Sequence, residues 1–333
     1  MIGMKRALLL ALPLFAACAS APEVRPTAPA LPPGTWVELR FDWPPGLAAV
    51  VETEHVRTET APAGEERARL RLRSRLETAA DDGGLAVRWR DVRHELSGGP
   101  TPAGVELLAE ELATPDLRVT AAGRLAAVEP REEARAELAK ALVALSHVVP
   151  VPESFRQRLV GHFQPDELRA GAAEDWDRLV GFWAGASLEA GRTYAARDLV
   201  PLDLLADLPV EVERRMRVVD RVSCRPEETE PRCVVLELVA LADEEATSGL
   251  APFLSRLFGD RGGPPRLAFE ERTLLVTEPE GLRPHRLETT RRVSVSFGGD
   301  GAESRARIDE RTVIFDYAAS TRASPEGRSL LRR

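Results

Sequence analysis

A stretch of strict two-residue alternation is the strongest constraint on how this 333-residue chain folds. Within residues 66–77 one set of positions is small or apolar and the other is basic: Ala68, Leu70, Leu72, Ser74 and Leu76 alternate with Arg67, Arg69, Arg71, Arg73 and Arg75. This pattern predicts a half-buried strand of an antiparallel sheet. The arginine row is either an anion-binding face or, as we favour, a solvated outer face paired with glutamates of neighbouring strands.

The same period continues before and after this strand. It predicts strands in 36–41 and 47–60, a hairpin turn at 82–84, two short strands around residues 122–123, and long strands from residue 191 to residue 317. Leu85, Val87 and Trp89 share one face, whereas Val92 and Leu96 continue in the opposite phase. A change of phase within one strand indicates a β-bulge, here near residues 90–91.

The middle of the chain changes to helical spacing. Apolar residues recur every three to four positions in 130–145, a second short helix is expected in 152–163, and a third follows Pro165. The third helix carries an apolar stripe at positions i, i+3, i+4 and i+7: Trp176, Leu179, Val180 and Trp183. These residues, together with Trp89, either fill the core or border a ligand cavity. In the cavity case, replacing a tryptophan by alanine costs less stability than in a filled core.

These patterns together predict an α+β domain over residues 35–317. We expect a large curved antiparallel sheet, open-barrel-like, made of two β-halves in 35–128 and 186–317. The helical segment 129–185 is expected to pack on one face of this sheet. A weak internal similarity between the halves supports their placement in one continuous sheet. Residues 318–333 have few apolar side chains and are expected to form a disordered tail.

The N-terminus has the layout of a secretory signal peptide. Lys5 and Arg6 precede a short apolar region, and Ala16 and Ala17 precede Cys18. This arrangement resembles a bacterial lipobox, although Phe15 stands where leucine is usual. The resemblance implies cleavage after residue 17 and acylation of Cys18, for example with palmitate. Ordinary secretion, with Cys18 as a bystander, is the alternative. The Pro- and Ala-rich residues 18–34 are then expected to be a tether that does not pack.

Charge and hydropathy narrow the possible partners. Loss of Lys5 and Arg6 takes the formal net charge from −8 to −10. An acidic chain of this kind is a poor candidate for non-specific nucleic-acid binding. No later apolar stretch approaches the length of a membrane span, about 20 residues. We therefore expect attachment to a membrane through the N-terminal lipid. Because Ala19 is not the aspartate that retains enteric lipoproteins in the inner membrane, we expect the outer membrane, facing the periplasm.

Cys224 and Cys233 remain as a pair once Cys18 is lipidated. A compartment outside the cytoplasm permits a disulfide, which we predict between them. A metal site needs further ligands, and no histidine is close in sequence, so we expect neither a metal nor a cofactor.

No catalytic motif is recognisable in the sequence. The five histidines form no compact metal spacing, and no nucleophile elbow or phosphate-binding loop is present. The acidic pairs Glu110–Glu111 and Asp81–Asp82 are expected in turns or exposed patches. The sequence therefore predicts no catalytic residues, although distant residues can still converge in a hydrolase site.

The lipobox, the tether, the long amphipathic strands and the central helices together resemble bacterial envelope lipoproteins. More loosely, they are similar to the LolA/LolB-type lipoprotein-carrier fold over residues 35–317. That resemblance implies an open sheet with helices against its concave face and an apolar cavity for acyl chains. The expected function is non-enzymatic binding of a hydrophobic ligand, such as a lipid, or of an acylated protein. A structural or interaction protein with a filled core is the alternative, and a hydrolase is a third. The sequence does not indicate the oligomeric state.

Overall fold

The computed structural model describes residues 31–202, 208–242, 247, 249–258, 265–297 and 303–317. The predicted signal peptide, Cys18, the tether up to residue 30 and the tail 318–333 lie outside the described residues. Leu31, at the end of the predicted tether, packs against the main core, and Gly34 donates a hydrogen bond to the Ala190 carbonyl at 3.3 Å. The described part of the tether therefore contacts the folded domain.

The described chain is dominated by one antiparallel sheet of eleven strands. The strands are β1 Trp36–Glu38, β2 Ala48–Ala61, β3 Gly64–Asp81, β4 Gly84–Leu96, β5 Asp116–Thr120, β6 Leu125–Glu129, β7 Ser187–Glu189, β8 Tyr194–Leu202, β9 Leu208–Val222, β10 Cys233–Leu241, β11 Arg266–Thr277, β12 Pro284–Phe297 and β13 Glu303–Asp316. The large sheet has the order β6-β5-β4-β3-β2-β13-β12-β11-β10-β9-β8, and β1 and β7 form a separate two-stranded sheet.

The strand order joins two meanders into one sheet. The first runs outward from β2 to the edge at β6, and the second runs inward from the edge at β8 to β13. The first and last long strands, β2 and β13, then pair along eleven residues, from Ala306↔Thr60 to Asp316↔Val50. This arrangement is consistent with the predicted α+β fold built on a large antiparallel sheet. The edge strands β6 and β8 are not paired with each other, so the sheet is not closed.

Five helices are present among the described residues: α1 Pro102–Leu112, α2 Glu132–Ser146, α3 Glu153–Gly161, α4 Pro165–Trp176 and α5 Ala251–Phe258. A π-helical turn, Asp177–Gly181, continues α4. The sequence predicts α2, α3 and α4 but not α1. The α1 helix has a clear N-terminal signal, because Pro102 occupies its first turn and the Thr101 side chain accepts a hydrogen bond from the Gly104 amide. None of the described helices has the length and apolar composition required to cross a membrane.

The predicted turn, bulge and arginine row are all present. Residues 82–83 connect β3 to β4, and the β3–β4 register shifts between Arg73 and Arg75, opposite a positive φ of 53° at Asp91. The arginines of β3 form ion pairs with acidic residues on their own and the adjacent strand: Arg69 and Arg71 with Glu54, Arg73 with Glu52, and Arg75 with Glu77. The row is thus an ion-paired outer surface, as favoured.

Three apolar clusters form the core. The largest combines one end of the central strands with the end of α4 and the residues after it, among them Trp176, Val180 and Trp183. The second joins α1, α2 and α3 to Ala68 and Leu70 of β3. The third joins α5 to strands β8–β12. A band of buried charges, described next, contains residues of the central strands that belong to none of these clusters.

Candidate binding groove

Charged side chains occupy core-facing positions in the middle of β2 and β13. The β2–β13 register pairs Arg57 with Asp309 and His55 with Arg311. Residues paired across neighbouring strands point to the same face. Two residues further along, on that same face, lie Thr53 and Val313, where the large apolar cluster begins. One face of each strand therefore changes from apolar to charged along its length.

Arg57 is the most deeply buried charge of this band, with 2% of its side chain exposed. Its two terminal nitrogens donate to the Glu110 carboxylate at 2.9 and 2.7 Å, and its Nε donates to Asp309 Oδ1 at 2.6 Å. Burial lowers the pKa of Arg57, but the charges of Glu110 and Asp309 outweigh that effect and raise it. Arg57 is therefore a permanent cation that joins α1 to the centre of the sheet.

His55 lies between two carboxylates. Its Nδ1 is 2.9 Å from Glu111 Oε1, and its Nε2 is 3.5 Å from Asp309 Oδ1. Burial lowers the pKa of His55, but hydrogen bonding and attraction to Asp309 and Glu111 outweigh it, and the pKa is raised. Burial raises the pKa of Asp309, but hydrogen bonding and attraction to His55 and Arg57 outweigh it and lower that pKa. The surroundings of His55 thus favour the doubly protonated imidazolium.

Arg311 and Arg178 extend the network from α1 to α4 and β11. Arg311 contacts Glu111 of α1 at 2.8 Å and donates to Asp175 Oδ1 of α4 at 3.0 Å. Arg178, in the π-helical turn, donates to both carboxylate oxygens of Glu271 in β11, each at 3.1 Å. Burial is again outweighed by the neighbouring carboxylates, so the pKa of each arginine is raised. Two helices are thereby fixed to three strands by charge.

These buried groups form the floor of a groove of about 1270 Å³. Helices α1, α3 and α4 supply one side, and strands β2, β8, β9, β12 and β13 supply the other. The lining contains ten carboxylates and eight arginines. Because both signs are present throughout, the groove is not a specific anion or cation site. It suits a polar ligand that itself carries several hydrogen-bonding or charged groups.

A small apolar cavity adjoins the groove. It has a volume of about 70 Å³, and five of its lining residues also line the groove: Glu111, Thr114, Ala172, Asp175 and Arg311. Its apolar walls include Trp89, Trp176 and Leu179. The volume corresponds to about five or six water-sized groups, which is too little for a long acyl chain.

The predicted cavity residues thus fall into two groups. Trp89, Trp176 and Leu179 line the small cavity, whereas Val180 and Trp183 are fully buried and line neither space. The indole N–H groups of Trp176 and Trp183 are both hydrogen-bonded. Trp176 Nε1 donates to the Gly123 carbonyl at 2.7 Å, and Trp183 Nε1 donates to the Arg178 carbonyl at 2.9 Å.

The prediction for Glu110 and Glu111 was wrong. Both lie on α1, and Glu111 is only 7% exposed. Burial raises the pKa of Glu111, but the charge of Arg311 and the hydrogen bond to His55 outweigh it and lower the pKa to about 2. The prediction failed because α1 was not recognised, and a helix carries these carboxylates to the sheet. Asp82 lies exposed in the β3–β4 turn, as expected, whereas Asp81 is half-buried at the end of β3.

Cys224 and Cys233 form the predicted disulfide, which connects the end of β9 to the start of β10. This bridge lies apart from the lining of the groove. The histidine that the sequence did not place near the two cysteines is His285 of β12, whose ring nitrogen lies within 4.8 Å of their sulfur atoms.

Comparison with known proteins assigns the chain to no family, because no family model matches it and no curated protein is similar to it.

The residues of the charged band were missed in the sequence, although a signal for them exists. In β2 the positions that share a face read Val51, Thr53, His55 and Arg57, and in β13 they read Phe315, Val313, Arg311 and Asp309. An apolar face that continues into charges of both signs is expected where a strand runs from a core into a groove. A solvated end of the strand gives the same pattern, and only the pairing of β2 with β13 separates the two cases.

Proposed function

We propose that the protein is a non-enzymatic, lipid-anchored protein of the bacterial envelope, held in the outer membrane through Cys18, that binds a polypeptide segment of another envelope protein in the groove. The observation that carries this proposal is the groove of about 1270 Å³ with charges of both signs and an adjoining apolar cavity. A polypeptide offers side chains of both signs and an apolar side chain small enough to anchor in about 70 Å³.

The proposal includes the placement of the helices. We infer that α1–α4 cover one face of a curved, open sheet, as the LolA/LolB-type resemblance implies. The ion pairs support this, because Arg57, Arg311 and Glu271 face the same side of their strands and each contacts a residue of α1 or of the α4 region. The groove then lies between helices and sheet, where the sequence predicted the ligand.

The ligand differs from the acyl chain that the resemblance implies. An acyl chain has no charged groups to match ten carboxylates and eight arginines, and the apolar cavity is small. An acylated protein remains compatible with the groove if its polypeptide part, and not its lipid, is the bound portion.

A structural protein with a filled core is the second candidate. The complete burial of Val180 and Trp183 favours it, because neither side chain borders the groove or the small cavity. Occupancy of the groove distinguishes the two candidates, because a purely structural protein binds no partner there.

Site-specific photo-crosslinking in the native envelope tests the proposal. Gly171 of α4 lines the groove and is exposed, and a Cβ placed there meets no atom within 4 Å. A photoreactive phenylalanine analogue at this position therefore fits without strain. Gly249 is equally open and exposed, lies outside the groove lining, and is the matched control.

We expect a discrete crosslinked polypeptide from position 171 and none from position 249. Identical products from both positions, or none from position 171 in the native envelope, contradict the proposal. Mass spectrometry of an organic extract of the purified protein tests the lipid alternative. A stoichiometric co-purified lipid, with no crosslinked protein, would show that the ligand is hydrophobic and not a polypeptide.

A further inference from the structure

Three strands bring two sulfur atoms and an imidazole together at one end of the sheet. Cys224 follows β9, Cys233 begins β10, and His285 lies near the start of β12. The two Sγ atoms and one ring nitrogen of His285 all lie within 4.8 Å of one another. All three residues are buried. A structural disulfide needs no histidine, so the presence of the imidazole requires a separate explanation.

The hydrogen bonds of His285 leave one ring nitrogen as a bare acceptor. Its Nε2 lies 3.1 Å from Glu278 Oε1, and its Nδ1 has no hydrogen-bond partner among the described residues. Only 6% of the side chain is exposed. We assign the ring proton to Nε2, because a carboxylate accepts a proton and does not donate one. Nδ1 then presents its lone pair in a buried place, which is unfavourable without a proton or a metal ion to receive it.

The surroundings fix the imidazole in this orientation. The Tyr317 ring packs edge-on against it at 5.4 Å, and the Tyr317 hydroxyl donates to the Pro284 carbonyl at 3.0 Å. The turn that carries Glu278 is closed by the Leu282 amide, which donates to the Glu278 carbonyl at 2.8 Å. Trp43 Nε1 donates to the Leu282 carbonyl at 3.1 Å. A histidine whose outer nitrogen is held by a carboxylate is the usual arrangement of a metal ligand.

We propose that Cys224, Cys233 and His285 form a zinc site that is open when the two cysteines are thiols and closed when they form the disulfide. Two thiolates and one imidazole nitrogen are ligands that Zn²⁺ prefers. Three protein ligands leave a fourth position for water or another donor. Glu278 acts one step further out, as a positioning residue that orients the imidazole.

Reduction of the disulfide opens the site, and oxidation of the thiolates closes it. A dithiol reductant supplies two electrons and two protons, the S–S bond breaks, and the reductant becomes a disulfide. Zn²⁺ then displaces the two thiol protons and binds the two thiolates and Nδ1. A disulfide oxidant takes two electrons from the thiolates and two protons from the solvent, its own S–S bond breaks to give two thiols, the Cys224–Cys233 bond forms again, and Zn²⁺ is released. We expect Zn²⁺ to enter past the loop 225–232, whose residues are exposed or half-buried.

Metal titration of the reduced and oxidised full chain tests the site. Every arm carries Cys18→Ser, so that no sulfhydryl remains outside the proposed site. Co²⁺ is the optical probe, because thiolate ligands give it a charge-transfer absorption, and Zn²⁺ is then added in competition. We expect the reduced protein to bind one Co²⁺ with thiolate absorption and to exchange it for Zn²⁺. The oxidised protein is expected to show no such absorption.

The variants separate ligands from bystanders. His285→Ala is expected to weaken Zn²⁺ binding by at least about tenfold, and Glu278→Gln by about 10–100-fold. His94→Ala, at an exposed histidine of β4, is the matched control and is expected to bind as the parent does. Because His285→Ala removes a buried ring, His285→Cys is included. It supplies a third thiolate, and we expect it to retain Co²⁺ with a stronger charge-transfer absorption.

Either of two results overturns the proposal. One is the absence of thiolate absorption when Co²⁺ is added to the reduced chain. The other is equal affinity of the reduced parent and His285→Ala, or, where that variant does not fold, unchanged affinity in Glu278→Gln together with an unchanged spectrum in His285→Cys.

Discussion

Glu111→Gln is the sharpest test of the buried charge network. Glu111 is 7% exposed and contacts Arg311 at 2.8 Å and His55 at 2.9 Å. The substitution keeps the size of the side chain and removes its charge. It leaves the Arg311 guanidinium with one partner fewer in a buried place, so the free energy of unfolding must fall at neutral pH.

The size of the loss follows from two independent arguments. The pKa of Glu111 falls from its ordinary value of 4.5 to about 2, and at about 1.4 kcal/mol for each pH unit this corresponds to about 3 kcal/mol. Removal of one partner from a buried ion pair costs about 3–5 kcal/mol. Because the pKa is lowered in the folded protein, the stabilisation is present above pH 4.5 and is lost as the pH falls through about 2.

Urea unfolding of the parent and of Glu111→Gln at several pH values between 7 and 2.5 measures this difference. We expect a loss of about 3–5 kcal/mol at pH 7 that shrinks as the solution is acidified below pH 4.5. Glu133→Gln, at an exposed glutamate of α2, is the control and should change stability by less than about 0.5 kcal/mol. A loss below about 1 kcal/mol at pH 7, or a loss independent of pH, would refute the reasoning.

Three further outcomes are expected. The pKa of His55 is raised, so the stabilisation by its charged form is present at acidic pH and is lost as the pH rises through the folded-state pKa. In urea unfolding, His55→Gln should therefore be less stable than the parent by an amount that narrows from pH 5 to pH 9. A difference that stays constant over this range contradicts the reasoning. Trp183→Ala should cost about 3–5 kcal/mol in thermal or chemical unfolding and Trp183→Phe clearly less, because the site is fully packed; equal, small losses indicate a cavity instead. Cys18→Ser should move the protein from the salt-washed membrane fraction to the soluble or unprocessed fraction, and persistence in the washed membrane excludes a lipid anchor at this residue.

Most of the sheet could be predicted from the sequence because its strands are long and alternate regularly. The β3 arginines, the bulge opposite Asp91 and the turn at 82–83 all follow from local side-chain periodicity. The α1 helix was missed because a loop-like sequence, SGGPTPAG, overlaps its first turn. The proline and threonine in that sequence are helix-start residues, and a run of glycines next to them concealed the signal.

The groove could not be predicted because its residues come from distant parts of the chain. Arg57 and Asp309 are 252 positions apart, and Arg311 and Glu111 are 200 apart. Local periodicity assigns each of them to a strand or helix face but does not say which faces meet. The same holds for His285, which strand pairing brings to the two cysteines.

The pairing of β2 with β13 also governs the order of assembly. Because the chain is made from its N-terminus, the meander β2–β6 is complete long before β13 exists, and β2 is then an unpaired sheet edge. Unpaired edges invite association between molecules, and inward-pointing charges discourage it. His55 and Arg57 lie on that edge, facing the core side. Even before Asp309 arrives with the last strand, these inward-pointing charges, which Glu110 and Glu111 of α1 already partner, make the half-built sheet a poor template for a second copy.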